Sequence, residues 1–126
     1  MKEVIFAKNG PKPGGCYSQA IKAGNTLYVS GQIAVDPVSG KLVGAGRIGG
    51  QTVRIIKNLQ IILAKVGASL DNIVKTTVFI DDINKFSEFN EVYSKYFSKN
   101  PPARSTIEVG KFMEGICIEI EAIAIL

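Results

Sequence analysis

The segment Pro101-Pro102-Ala103-Arg104-Ser105-Thr106-Ile107-Glu108-Val109, read with Ile116-Cys117-Ile118-Glu119-Ile120-Glu121, decides how this chain is assembled. The first proline steers Asn100 away from the helical region, and neither ring has an N–H to donate, so whatever precedes them ends there. From Ala103 onward the residues alternate. Arg104, Thr106 and Glu108 share one face of a strand; Ser105, Ile107 and Val109 share the other. Ile116, Ile118 and Ile120 likewise oppose Cys117, Glu119 and Glu121. With Gly110 to Gly115 as the connecting loop, Val109 faces Ile116, Ile107 faces Ile118 and Thr106 faces Glu119, and Arg104 lies diagonal to Glu119 on the same face. A one-residue slip would drop the isoleucines among polar residues, so the hydrophobic pattern favours this register. The expectation is an antiparallel hairpin that carries a guanidinium, a hydroxyl and a carboxylate together as the working site.

Upstream of this hairpin, Phe86, Phe89, Tyr93, Tyr96 and Phe97 recur at helical spacing and predict a helix, capped by Asp82 or Asn84. Ile73 to Ile80 is rich in β-branched residues and reads as a strand buried on the side of Val74, Thr76, Val78 and Ile80. Residues 50 to 66 predict another helix. Val53, Ile56, Leu59, Ile62, Leu63 and Val66 form its apolar stripe, Ile55 and Ile61 widen it, and Gly67 stops it. Tyr17 to Ala23 and Thr26 to Ser30 read as a hairpin turned at Ala23-Gly24-Asn25, and residues 2 to 7 as a short strand. Ile123 to Leu126 are apolar on both faces, the pattern of a strand covered on both sides. This order predicts one α+β domain spanning residues 1 to 126, a mostly antiparallel sheet of about six strands with two helices on one face. The uncovered face, expected to bear Arg104, Thr106 and Glu119, then calls for a second subunit.

Gly44-Ala45-Gly46-Arg47-Ile48-Gly49 matches G-x-G-x-x-G ahead of a helix. It follows no long strand, no acidic residue closes a second strand at the expected offset, and the chain is too short for a doubly wound fold. A loop feeding a helix is the better reading.

Composition narrows the chemistry. The 126 residues contain no histidine, which excludes a histidine-based triad and argues against zinc. Cys16 and Cys117 stand far apart in no metal-like spacing. Hydrophobic residues make up 46% of the chain, compatible either with self-association or with a dense core. The formal charge of +4 is spread along the sequence, and the aromatics around Tyr93-Ser94-Lys95-Tyr96-Phe97 fall at core spacing, so a nucleic-acid partner is not expected. The first residues lack the long apolar core of a secretory signal and no run is long enough to span a membrane, so a cytoplasmic location is expected.

Gly15-Cys16-Tyr17-Ser18-Gln19-Ala20, Ser30-Gly31-Gln32-Ile33, Val74-Lys75-Thr76-Thr77-Val78-Phe79, Phe89-Asn90-Glu91-Val92-Tyr93, Pro102-Ala103-Arg104-Ser105 and Ile118-Glu119-Ile120-Glu121-Ala122, in this order and spacing, resemble the RidA/YjgF family of reactive-intermediate deaminases. The resemblance implies a chorismate-mutase-like (ferredoxin-like) sandwich and a homotrimer with active sites between subunits. It implies hydrolysis of reactive 2-imino and enamine acids, such as 2-aminoacrylate and 2-iminobutanoate, to 2-keto acids and ammonia, without metal or organic cofactor. The family's functional positions carry over to Tyr17, Ser30, Gly31, Asn90, Arg104 and Glu119. Three departures stand out. Cys16 replaces a common proline before Tyr17, Thr106 stands where relatives carry cysteine, and Gly49-Gly50 replaces better helix formers.

In that chemistry Arg104 would grip the substrate carboxylate through its planar fork. Glu119 would hold water and shuttle its proton, Thr106 would contact the substrate nitrogen or the water, and Tyr17 and Ser30 would close the cleft. The bland alternatives are an ion pair of Arg104 with Glu119 or Glu121 and ordinary packing of the hydroxyls. Competing functions are a non-catalytic binder of small carboxylates and an RNA-acting or translation-inhibiting protein.

Overall fold

The structure, a computed structural model, describes residues 1–126. Its strands are β1 (Lys2–Ile5), β2 (Ala20–Ala23), β3 (Thr26–Gln32), β4 (Ile73–Ile80), β5 (Ala103–Glu108) and β6 (Ile118–Ile125), and its helices are α1 (Ile48–Lys65) and α2 (Phe86–Tyr96). The strands form one sheet in the order β1-β2-β3-β6-β4-β5. Every pairing is antiparallel except β4 with β5. The α+β architecture, the mostly antiparallel six-stranded sheet and the helical cover agree with the sequence reading.

Local chemistry sets the boundaries. Gly24, at φ 61°, turns the β2–β3 hairpin. Gly67, at φ 73°, closes α1 by donating to the Ala64 carbonyl while Ala68 donates to Leu63, a Schellman arrangement that satisfies the last carbonyls. Of the two candidate caps, Asp82 acts: its carboxylate accepts from the Asn84 N–H at 2.9 Å and opens the 3₁₀ turn Ile83–Lys85 that leads into α2. The core lies on one face of the sheet. Leu27, Val29, Val78, Ile80, Ile118 and Ile120 meet Ile55, Ile56, Leu59, Ile62 and Leu63 of α1, all buried.

The expected β5–β6 hairpin does not form. β6 lies between β3 and β4, and β5 takes the sheet edge, parallel to β4. A parallel neighbour needs a crossover, and α2 supplies it. The pattern Ile118, Ile120, Ala122, Ala124 is buried along its whole length, which suits an interior strand, whereas no β5 side chain is fully buried. Pairing now runs Arg104 to Thr76, Thr106 to Val78 and Ile107 to Phe79, and Phe79 also pairs with Glu119. Arg104 and Thr106 therefore share the helix-covered face with Thr76 and Val78, and Glu119 lies on the opposite face. The expectation of one polar face carrying all three is overturned.

Two smaller corrections follow from the same sheet. A bulge between Ile73 and Lys75 shifts the alternation, so Ile73 takes the core position and Val74 is 47% exposed. Within one chain β6 is covered on one side only: Ile125 is 38% exposed, and Tyr28 and Ile107 are also open on that face.

The G-x-G-x-x-G stretch is a loop ending in the first residues of α1, with Gly44 at φ 60° and Gly46 at φ 75°. Gln51, fully buried, fastens it. Its Nε2 donates to the carbonyls of Gly44 (3.1 Å) and Gly115 (2.7 Å), and its Oε1 accepts from the Cys117 N–H at 2.8 Å. One side chain thus ties α1 to β6 and to the loop before it. Gln51→Leu keeps the volume but leaves those buried backbone groups unpaired, and urea unfolding is expected to show a loss of at least about 2 kcal/mol.

Candidate active site

Arg104 is half-buried where β5 passes under α2. Its guanidinium carbon lies 5.5 Å from the ring centroid of Phe86, 5.3 Å from Phe89 and 4.8 Å from Tyr93. The 86, 89, 93 spacing aligns these rings on one side of α2. Nη1 donates to Asn90 Oδ1 at 2.9 Å, so Asn90, one turn after Phe86, faces the arginine rather than solvent. No carboxylate reaches Arg104, because Lys85 with Asp81 is the single ion pair in the molecule. The ion pair with Glu119 or Glu121 weighed from sequence is absent. A concavity of about 580 Å³ opens beside the arginine, lined by Asn90, Tyr93, Ser94, Phe97, Pro101 and Pro102 among others.

Tyr93 is 3% exposed, and its hydroxyl bonds Thr76 Oγ1 at 2.8 Å. Burial raises its pKa and so favours the neutral phenol, outweighing the opposite pull of the Thr76 bond and of Arg104. Thr106 lies two residues beyond Arg104 on the same strand face. Its Oγ1 is the one buried side-chain polar atom with no hydrogen-bond partner.

The second group sits on the other face of the sheet. A bulge in β3 between Val29 and Gln32 interrupts pairing with β6, and Ser30 and Gly31 occupy it. Glu119 packs its carboxylate over Gly31, where a Cβ would collide with the acid, so only glycine admits it. Ser30 Oγ donates to the Ser18 carbonyl at 2.6 Å, and the Ser30 N–H donates to Gln19. These bonds hold the Tyr17 loop against β3. Tyr17 is 53% exposed and accepts from the Gly14 N–H at 3.1 Å. Tyr17, Ser30, Gly31, Glu119 and Glu121 line a cleft of about 620 Å³ together with Lys111, Phe112 and Met113. Burial, and secondarily the charge of Glu121, holds the Glu119 carboxyl above the ordinary carboxylate range.

The structure thus gathers the candidate residues into two groups: Asn90, Arg104 and Thr106 on the helix side, and Tyr17, Ser30, Gly31 and Glu119 on the open side. Two strand spacings, roughly 10 Å, and the thickness of the sheet separate the two within one chain. Lys111, Phe112 and Met113 were missed because they belong to the stretch read only as a connection. The signal available was their composition, a cation and two large apolar residues in an otherwise glycine-bounded loop. Glu108, on the same strand face as Arg104, accepts from the Ile83 N–H at 2.8 Å and steadies the entry to α2. No group of three metal-binding side chains occurs, and no helix is long and apolar enough to cross a membrane.

Comparison with known proteins identifies the family and the fold. Residues 7–126 match the family described as Endoribonuclease L-PSP. The RutC family protein PH0854 of Pyrococcus horikoshii is 50% identical over 124 residues, 98% of each chain. A human protein named 2-iminobutanoate/2-iminopropanoate deaminase is 43% identical over 125 residues, 99% of this chain and 90% of its own. The crystal structure of the Rid-family protein YyfA of Yersinia pestis aligns with a TM-score of 0.92 at 45% identity over 100% of both chains. With a family match along almost its whole length and close relatives of the same fold, the chain belongs to the Endoribonuclease L-PSP family, which is the RidA/YjgF family.

Proposed function

We propose that this protein hydrolyses small reactive 2-imino and enamine acids to 2-keto acids and ammonia. The observation that carries the reading is Arg104: a half-buried guanidinium, held by Asn90 and three rings, with no carboxylate of its own. Nη1 donates to Asn90 and no acid of the chain takes the rest of the fork, which leaves N–H donors for bidentate contact with a substrate carboxylate. Such charge-assisted bonds contribute about 1.5–3 kcal/mol net. The name of the human relative supports this substrate class.

The chemistry asks little activation of the enzyme. An enamine tautomerises by gaining a proton at carbon, and the resulting iminium carbon is electrophilic. Glu119 takes a proton from water as that water adds to the carbon, giving a tetrahedral amino alcohol. It returns the proton to nitrogen, the C–N bond breaks as the carbonyl forms, and the hydroxyl proton passes through Glu119 to the departing ammonia, which leaves as ammonium. A carboxylate with a raised pKa suits both halves of this exchange, being basic enough to accept and acidic enough to give back. Thr106 Oγ1, without a partner in the protein, is offered to the substrate nitrogen or the water.

Because Arg104 and Glu119 occupy opposite faces of one sheet, we infer that a site is completed between copies, with the cation of one protomer and the carboxylate of the next facing the same substrate from opposite sides, apart from one another. The open sheet face, with Tyr28, Ile107 and Ile125 exposed, supplies an apolar surface for that contact, and a closed homotrimer would bury it. The same pocket without turnover would make a small-carboxylate sensor. Hydrolysis of 2-iminobutanoate, generated in situ by a threonine dehydratase, decides between the two.

Arg104→Ala is expected to lower kcat/KM by about 10- to 100-fold or more, and Arg104→Lys to recover little because a point charge cannot replace the fork. Parent-like rates for Arg104→Ala would sink the assignment. Mixed refolding of inactive Arg104→Ala and Glu119→Gln chains should recover about a quarter of the parent activity, the statistical share when each site draws one residue from each of two protomers. No recovery would place both residues in one chain's site. The folded state holds the Glu119 proton more readily than the unfolded chain, so this group loses stability for the fold as pH rises from the ordinary carboxylate value through the raised one. Glu119→Gln should therefore abolish hydrolysis yet raise Tm at neutral pH. Activity should fall as pH drops through the raised pKa, and Glu121→Gln should move that acid limb to lower pH.

A further inference from the structure

We propose that Phe86, Phe89 and Tyr93 are positioning residues. Their ring faces replace the counter-carboxylate that Arg104 lacks and hold its guanidinium ready for an anionic substrate. The proposal rests on the carboxylate-binding role given to Arg104.

The guanidinium is a cation partly withdrawn from water. A protein normally balances such a group with an acid, yet none in its own chain reaches Arg104. Three aromatic rings stand in that place, each within the 6 Å range of cation–π attraction. The difference from a carboxylate is directional. An acid would occupy the N–H edges that a substrate needs, so binding would first have to break a charge-assisted pair. Ring faces attract the cation without taking a donor, and Asn90 takes Nη1.

The rings are themselves fixed. Phe86 and Phe89 lie 6.1 Å apart at 58°, Phe89 and Tyr93 5.2 Å apart at 49°, and Tyr93 and Phe97 4.5 Å apart at 32°. Phe89 and Tyr93 are buried, and the Tyr93 hydroxyl is tied to Thr76, which pairs with Arg104 across β4 and β5. The ladder and the arginine thus share one anchor in β4. Phe86, at the start of α2, is only half-buried and is the ring that can be altered with the least disturbance of the core. The aromatic stripe that the sequence assigned to packing therefore has a second use at its N-terminal end.

The test replaces Phe86 with its mono-, di- and trifluorinated analogues, which keep ring shape while draining the negative face. Affinity for 2-oxobutanoate is measured by calorimetry, and hydrolysis of 2-iminobutanoate in parallel. A graded loss of affinity with fluorination is expected. Phe86→Leu should weaken binding about three- to tenfold, Phe86→Tyr should restore it, and KM should rise in step with kcat held. Unchanged affinity across the series, in a parent that binds 2-oxobutanoate, overturns the proposal and leaves the deaminase reading intact. A graded series in a protein that binds but does not hydrolyse supports the ring platform and removes the deaminase. A parent that binds no 2-oxobutanoate removes the carboxylate role of Arg104, and the platform with it.

Discussion

β6 takes its backbone partners from β3 on one side and β4 on the other, and the rest of the molecule is arranged around that insertion. Its core face is apolar and buried from Ile118 to Ala124, so an edge position would have left one row of its backbone groups without partners beside that core. With β6 inside, β5 moves to the rim. Its only available partner runs parallel, and α2 must cross over the sheet to deliver it. The same crossover lays the aromatic stripe of α2 over Arg104. The position of one strand thus sets both the cation's surroundings and its separation from Glu119.

Each half of the site is held in a state that the fold alone would not choose. Arg104 is a partly buried cation without an anion, and Glu119 a partly buried acid beside another acid. Thr106 has a buried hydroxyl with no partner. Elsewhere buried polar groups are satisfied: Gln19, Gln51, Asn58 and Thr76 make hydrogen bonds to other parts of the fold, and Thr52 bonds the Ile48 carbonyl one turn back in α1. Polar groups left unsatisfied while the rest are paired are the usual sign of a site kept ready for something the chain does not contain.

The surroundings of each half are correspondingly stiff. Gly31 sits in a bulge opposite β6, and Ser30 and Gln19 tie that bulge to the loop bearing Tyr17. Gln19 in turn bonds Ala7 and Pro11, so the loop before Tyr17 is fastened at several points despite its glycines and prolines. Cys16 is exposed and takes no part in these bonds, so replacing a proline there leaves the anchoring intact. Gly49, the other departure from better helix formers, lets its N–H reach Glu88 of α2 at 3.1 Å, with that carboxylate as close to the glycine as a Cβ would allow.

The sequence alone determined the period of every long element. The two helical periods, the β-branched run of β4, the alternation of β5 and β6 and the glycine stop of α1 are properties of neighbouring residues and are present. A bulge nevertheless puts Ile73 rather than Val74 in the core, and the α1 stripe also buries Gln51, Thr52 and Asn58. It also determined which residue types could do chemistry, since without histidine the arginine, the acid and the hydroxyls are what remains. Only the tertiary structure decided which strands are neighbours. Alternation says that Arg104 and Thr106 share a face, but not which face, nor whether Glu119 shares it. That depends on long-range pairing, where the burial of β6 on both flanks outweighed the short loop that made a β5–β6 hairpin look natural. The same long-range pairing turned a helix stripe that reads as core into the wall beside a charged side chain.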